Sequence, residues 1–493
     1  MNHSNKKVSV IGAGFAGLAS AAILAKNGMD VSVFEKNEMA GGRARTFDQE
    51  GFRFDMGPSW FWMPDVYEKF YQIFGYSTSN FYELKKLDPG FAVIFKDQEV
   101  WDIPADFEQI CYLFEKIENG AGEKLKQFIK EAEFKYQVGM EDVVYKPFHH
   151  FTEFLDLNLF KNALKLQLLT SFSSHTRKYF KDERLLALME FPVLFLGAMP
   201  QQTPALYSLM NYAGLKQGTF YPMGGFGEVA NSFLKIAEEQ GVKIHFNSPV
   251  DTIEIIKNRV VGLQTNGLFK SADVLIGAAD YAHVEQKLLP KEYRSYTSSY
   301  WESRTFAPSS LLFYLGINKK IEKLRHHNLF FDEQFDQHAI EIYKDKKWPT
   351  KPLFYVCCPS KTDASVAPAG HENIFILMPI AIGMEDSEDI REDYFERIME
   401  RLEKFAGETI RSNIVYKRSY CVSNFIEDYN AYQGNAYGLA NTLQQTAFLK
   451  PKLKNNKLKN MYYAGQLTVP GPGVPPSIIS GQIAANEILK TFQ

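Results

Sequence analysis

The stretch that decides the fold is VIGAGFAGLASAAILAKNGMDVSVFEK, Val10 to Lys36. Within it Gly12, Gly14 and Gly17 form G-x-G-x-x-G directly after the strand-like Lys7–Ile11. Leu18–Asn27 is rich in alanine and leucine and predicts a helix closed by Gly28, and Met29–Phe34 alternates as a second strand. The first glycine permits a tight turn, the second lets the backbone approach a pyrophosphate, and the third lets helix and strand pack closely. Ala13, Phe15 and Ala16 complete the same cradle, and the helix N-terminus offers unpaired N–H groups and partial positive charge to an anion. Glu35 stands 18 residues past Gly17, beside Lys36, at the tip of the second strand. An acid there accepts both ribose hydroxyls and repels a 2′-phosphate, so the spacing predicts FAD or NAD rather than NADP. A secretory signal is the competing reading, since Lys6 and Lys7 precede an apolar stretch, but three glycines interrupt what should be a continuous apolar run. A cytoplasmic protein is expected.

Composition sets the frame around this start. A chain of 493 residues predicts two domains, with 45% hydrophobic and 23% charged residues as in ordinary globular proteins. A net charge of −3 gives no sign of a nucleic-acid partner. Aromatics reach 14%, which predicts a large core, a long apolar pocket or a membrane-facing surface. Cys111, Cys357, Cys358 and Cys421 show no CxxC pairing and suggest free thiols. No apolar run reaches the roughly 18 residues of a transmembrane helix; Leu185–Met199 is short and interrupted by Glu190 and Pro192.

A second signature narrows the cofactor. Gly41-Gly42-Arg43-Ala44 follows Glu35 closely, and GFRFDMGPSW comes next at Gly51–Trp60. A plain NAD dehydrogenase has no need of a Gly-Gly-Arg loop just beyond its second strand. FAD enzymes of the glutathione-reductase-like kind pass such a loop along the flavin side of the cofactor. Arg43 is then expected at the pyrophosphate or the isoalloxazine, with Gly57, Pro58 and Ser59 offering tight backbone under the ring.

GAGFAGL, VFEKNEMAGGRA and FDMGPSWFW together resemble the bacterial phytoene desaturases, FAD enzymes of the amine-oxidase-like superfamily. The resemblance continues through Met189–Tyr212, Tyr221–Phe233, Pro359–Leu377, Gly434–Pro451 and the C-terminal MYYAGQLTVPGPGVPPSIISGQIAANEIL at Met461–Leu489. It implies an α/β fold with a Rossmann-type FAD-binding domain of the glutathione-reductase-like kind and a discontinuous α+β substrate domain. The expected FAD domain is built from 1–75, 221–290 and 455–493, and the substrate and membrane-association domain from 76–220 and 291–454. Val250 is expected to begin the strand that lays its backbone against adenine. Gly465, Gly473 and Val474 are expected beside the flavin, with Ser477 capping a helix whose N-terminus faces the pyrimidine edge.

The activity implied is desaturation of phytoene stepwise toward lycopene, with FAD taking the hydride. Relatives of the same kind include hydroxycarotenoid 3,4-desaturases and carotenoid isomerases or saturases. Flavin amine oxidases and non-catalytic prenyl-binding escort proteins share the fold. The cofactor carries the difficult step, so few acid–base side chains are required. His326, His327, Glu372 and Asp428 are candidates for a base, with structural roles as the alternative; no metal or Ser-His-Asp constellation is visible. A C40 hydrocarbon leaving a membrane for water loses about 30 kcal/mol, at roughly 0.8 kcal/mol per carbon. The enzyme is therefore expected to dock peripherally on a membrane, at its inner face, and to offer an apolar tunnel. Phe151–Phe172, apolar on nearly every face and followed by Arg177 and Lys178, is the candidate contact, with burial in the core as the alternative reading.

Overall fold

The computed structural model describes residues 6–140, 144–147, 166–446 and 449–492. The candidate membrane-contact helix therefore lies outside the described residues except for its end, from Leu166 onward.

The glycine-rich start forms the centre of a five-stranded parallel sheet. Its strands are β1 (Lys7–Ile11), β2 (Asp30–Phe34), β3 (Lys243–His245), β4 (Val274–Gly277) and β5 (Met461–Tyr463), in the spatial order β5-β4-β1-β2-β3. Period-two alternation splits the apolar residues between two faces. Val8, Val10, Val31, Val33 and Ile276 join the core of helices α1 (Phe15–Lys26), α2 (Phe226–Glu239) and α3 (Val474–Phe492). Ile11, Phe34 and Leu275 turn the other way, onto Ile253, Val260 and Leu263 of a three-stranded antiparallel sheet. That small sheet holds the expected hairpin: Val250–Ile256 pairs with Arg259–Thr265, and both Lys257 and Asn258 have positive φ, as a two-residue turn matched to strand twist requires.

A seven-stranded mixed sheet carries the rest of the wall. Its order is Ile414–Tyr420, Ser309–Ile317, Glu372–Ile380, Phe354–Cys357, His327–Phe331, Phe91–Phe95 and Val100–Ile103. Leu311, Phe313, Ile374 and Ile376 pack on the helix Glu388–Ala406 through Phe395, Ile398 and Leu402. The alternate residues Leu312, Tyr355 and Leu377 look into the site described below.

Two helix starts differ from the sequence expectation, and for the same reason. Helix α1 begins at Phe15, not Leu18, so Gly17 lies inside its first turn; a Cβ there would stand 2.0 Å from the Gly12 carbonyl oxygen. Helix α3 begins at Val474, and Ser477 is not its cap, since its Oγ donates to the Gly473 carbonyl at 2.8 Å. Pro475 and Pro476 occupy the first turn, where a missing N–H costs nothing. Glycine and proline, read as breakers, sit here where a helix can begin.

Candidate active site

The two glycine signatures and the proline-rich loop meet in one cavity of about 1160 Å³. Single-ligand pockets run roughly 300–1,000 Å³, so the space exceeds what one ordinary ligand fills. Gly12, Gly14, Phe15, Ala16, Glu35, Lys36, Gly42, Arg43, Gly57, Pro58, Ser59, Val250, Gly465, Gly473 and Val474 all line it. Ala13 and Gly17 do not. Ala13 lies behind the wall, donating its N–H to Glu35 Oε2 at 2.8 Å, and Gly17 is consumed by packing.

The glycines divide by what a side chain would meet. A Cβ on Gly14 meets nothing within 4 Å and points into open cavity, whereas one on Gly57 would lie 2.6 Å from the Arg43 carbonyl oxygen. Glu35 is 5% exposed, and its Oε1 accepts from the Asn37 N–H and side-chain amide at 3.0 and 2.9 Å. The carboxylate is thus fixed at the tip of β2. Lys36 donates to the Glu427 carbonyl.

Arg43 is the most informative side chain. Its Nη2 donates to the Asn435 carbonyl at 3.2 Å, and the Gln466 amide oxygen, turned toward it, accepts from Nη1 and Nη2 at 3.1 Å each. Burial pulls its pKa below the ordinary guanidinium value, with Asp280 opposing. Its Nε is buried with no protein partner. An unpartnered cationic donor on a cavity wall, opposite an open glycine and two helix N-termini (α1 and α3), fits an anionic dinucleotide. The residues present fit FAD.

Beyond the Gly57-Pro58-Ser59 loop the lining turns apolar, through Trp62, Met63, Met140, Leu206, Leu312 and Leu377. This lobe extends to Leu166–Thr170, where Leu166 is 2% exposed and Leu169 is 95% exposed. Leu169 forms part of the cavity's rim.

The acid–base candidates separate. Asp428 lines the cavity but is held by Arg45 at 2.6 Å and the Tyr420 hydroxyl at 2.9 Å. Glu372, the first residue of the strand Glu372–Ile380, is fully buried, paired with Lys361 at 2.6 Å, and is a structural group. His326 and His327 are also buried, and burial holds both imidazoles below their usual pKa, His326 at about 3. His327 stacks on Trp60 with centroids 4.3 Å apart, and its Nδ1 lies 2.6 Å from the Tyr355 hydroxyl. Trp60, Asp280, Gln466, Tyr437 and Tyr355 also line the cavity, though sequence reasoning gave none of them a role of its own. Each comes from a different segment; Tyr355 lies in a strand and the other four stand on loops or turns. Among the described residues, His326, His327 and Cys357 place one nitrogen or sulfur each within 4.8 Å of one another.

The sequence profile described as "Flavin containing amine oxidoreductase" matches residues 15–489. A carotenoid 3,4-desaturase from Haloarcula japonica is 39% identical over 488 residues, covering 99% of each chain. A phytoene desaturase from Fusarium fujikuroi is 30% identical over 520 residues, covering 99% of this chain and 90% of that one. The crystal structure of an oxidoreductase from Methanosarcina mazei shares the fold at a TM-score of 0.61 and 18% identity, over 97% of this chain and 99% of that one. With a cradle that fits FAD and relatives aligned from end to end, the chain belongs to the flavin containing amine oxidoreductases, and among them to the carotenoid desaturases, FAD-dependent enzymes that oxidise CH–CH bonds.

Proposed function

We propose that this protein desaturates phytoene stepwise toward lycopene, drawing the C40 chain from a membrane surface into the apolar lobe. The observation that carries the reading is the single cavity of about 1160 Å³ that joins the dinucleotide cradle to an apolar lobe with Leu169 at its rim. FAD, when bound, supplies the two-electron acceptor.

The chain's own residues bind and orient. Gly14 and Gly42 leave the backbone bare for the pyrophosphate, Glu35 takes the ribose, and Val250 meets the adenine end. Arg43 offers its spare Nε to the flavin side, while Gly465, Gly473 and the α3 N-terminus face the pyrimidine edge. Trp62, Met63 and Leu312 exclude water from the reacting carbons. In this reading 1–75, 221–290 and 455–493 form the FAD domain, and 76–220 and 291–454 the substrate domain.

A second reading, 3,4-desaturation of a more oxidised carotenoid, is favoured by the 39% identity to the Haloarcula japonica enzyme. Anaerobic mixing of the yellow protein with phytoene in vesicles tests both. Flavin bleaching and a product absorbing in the visible support phytoene; bleaching only with lycopene-like polyenes supports the second reading. Bleaching by amines alone overturns both.

A further inference from the structure

Dehydrogenation of a carbon–carbon bond releases a proton as well as a hydride, and the apolar lobe has few groups able to receive it. One hydroxyl stands out. Tyr355 lines the cavity beside Ser59, its Oη 3.0 Å from Ser59 Oγ and 2.6 Å from His327 Nδ1. The contact comes from strand register: His327 pairs with Cys357, so Tyr355, two residues before Cys357, is its diagonal neighbour on the same face.

Behind it the polar groups continue outward. The His326 and His327 rings lie 4.4 Å apart, both Nε2 atoms are buried without a protein partner, and His326 Nδ1 lies 2.7 Å from the Thr362 hydroxyl. Thr362 is half-exposed. His327 is 0% and His326 4% exposed. A packed interior has no need to place two unpartnered imidazole nitrogens in a row, since each forgoes a hydrogen bond it would make in water.

Resting on the desaturase reading above, we propose that Tyr355 is a catalytic residue that takes the substrate proton, with His327 as its relay and His326 and Thr362 as the way out. FAD, held by the cradle, would take a hydride from one carbon; in the same step the adjacent C–H bond breaks heterolytically, its electron pair closing the new C=C bond and its proton going to Tyr355 Oη. The phenol's own proton moves at the same time to His327 Nδ1, so Tyr355 ends as it began and His327 ends as an imidazolium. His327 then releases its Nε2 proton toward His326 and solvent and tautomerises, so that Nδ1 is free to accept again in the next cycle. Burial and the neighbouring His326 keep the resting His327 neutral, and Asp363 is the acid that faces His326. A neutral imidazole suffices, because a C–H beside a carbon that is giving up hydride is strongly acidic.

The test uses the FAD-loaded protein with phytoene in neutral vesicles, followed anaerobically by flavin bleaching. Tyr355→Phe and His327→Gln should keep their flavin absorbance and melting temperature. Their bleaching should slow by about 100-fold, at the low end of the roughly 10²–10⁴ span of general acid–base catalysis. The substrate's C–H hydrogens do not exchange with water, so a slower wild-type rate in D2O reports only the relay protons. Tyr355→Phe should lose that D2O effect, which a merely structural role for Tyr355 would leave in place. Variants within about threefold of wild type, or a D2O effect that survives in Tyr355→Phe, overturn the relay. If Tyr355→Phe loses flavin, His327→Gln and the wild-type D2O effect decide; no D2O effect in the wild type overturns the proposal. Wild-type protein that no carotenoid bleaches overturns the desaturase reading instead, and the relay with it.

Discussion

Two glycines three residues apart in sequence, Gly14 and Gly17, separate binding from folding. Gly14 faces open cavity, so Gly14→Val should fold normally and purify colourless, checked by the flavin band against total protein. Gly17 touches the Gly12 carbonyl, so Gly17→Ala should destabilise the whole chain by about 1–3 kcal/mol, read as a lowered melting temperature. The reverse pattern would mean that the cradle assignment is mistaken. Arg43 was legible from its Gly-Gly-Arg loop, but its setting was not, because Asp280, Asn435 and Gln466 reach it from distant segments. Arg43→Ala should retain the fold and slow flavin bleaching; an unchanged rate would make Arg43 a bystander. Tyr355 left no mark at all, since one aromatic in an apolar strand reads as core.

At the scale of elements, the most telling contact is the cap of α2. Asp55 accepts from the N–H groups of Phe226 and Gly227 at 3.0 and 3.3 Å, and burial raises its pKa from 3.8 to about 7. A carboxyl harder to ionise in the folded state than in the unfolded one contributes stability that is complete below pH 3.8. That contribution falls as pH rises and is gone above about 7. The span is at most about 4 kcal/mol, three pKa steps of 1.36 kcal/mol each. Asp55→Asn keeps an acceptor and removes the titration, so its melting temperature should fall less than that of wild type between pH 4 and 7; parallel curves would exclude Asp55 as the cause. Helices and strands of the dinucleotide core were legible from glycine spacing and alternation. Helix starts were misplaced where Gly17 and Pro475 sit inside the first turn, because the residues that break a helix interior are tolerated at its beginning.

For the whole molecule, the parallel sheet draws β1, β2, β3, β4 and β5 from three distant stretches of chain. The apolar lobe was foreshadowed by the aromatic surplus and the transfer cost of a C40 chain, but not its length or rim, which depend on packing between segments. Leu166 is core and Leu169 is rim, which separates two residues that the apolar pattern treats alike. Leu169→Glu should reduce co-sedimentation with anionic vesicles while flavin content stays normal, whereas Leu166→Glu should unfold or aggregate the protein. Normal sedimentation of Leu169→Glu would place membrane contact elsewhere.

Among the described residues, the cofactor cradle and the apolar lobe line one continuous cavity. Each guest is therefore part of the other's container. FAD held by the cradle would wall off one end of the apolar lobe, and a polyene in the lobe would shield the flavin from water. Thermodynamic reciprocity then requires that whatever the ring adds to the affinity for polyene, polyene returns to the affinity for the ring. Enzyme stripped of carotenoid should lose its colour on dialysis faster than enzyme held with carotenoid-loaded vesicles, and empty vesicles should give no protection. In a cell, retention of the flavin would follow the supply of substrate.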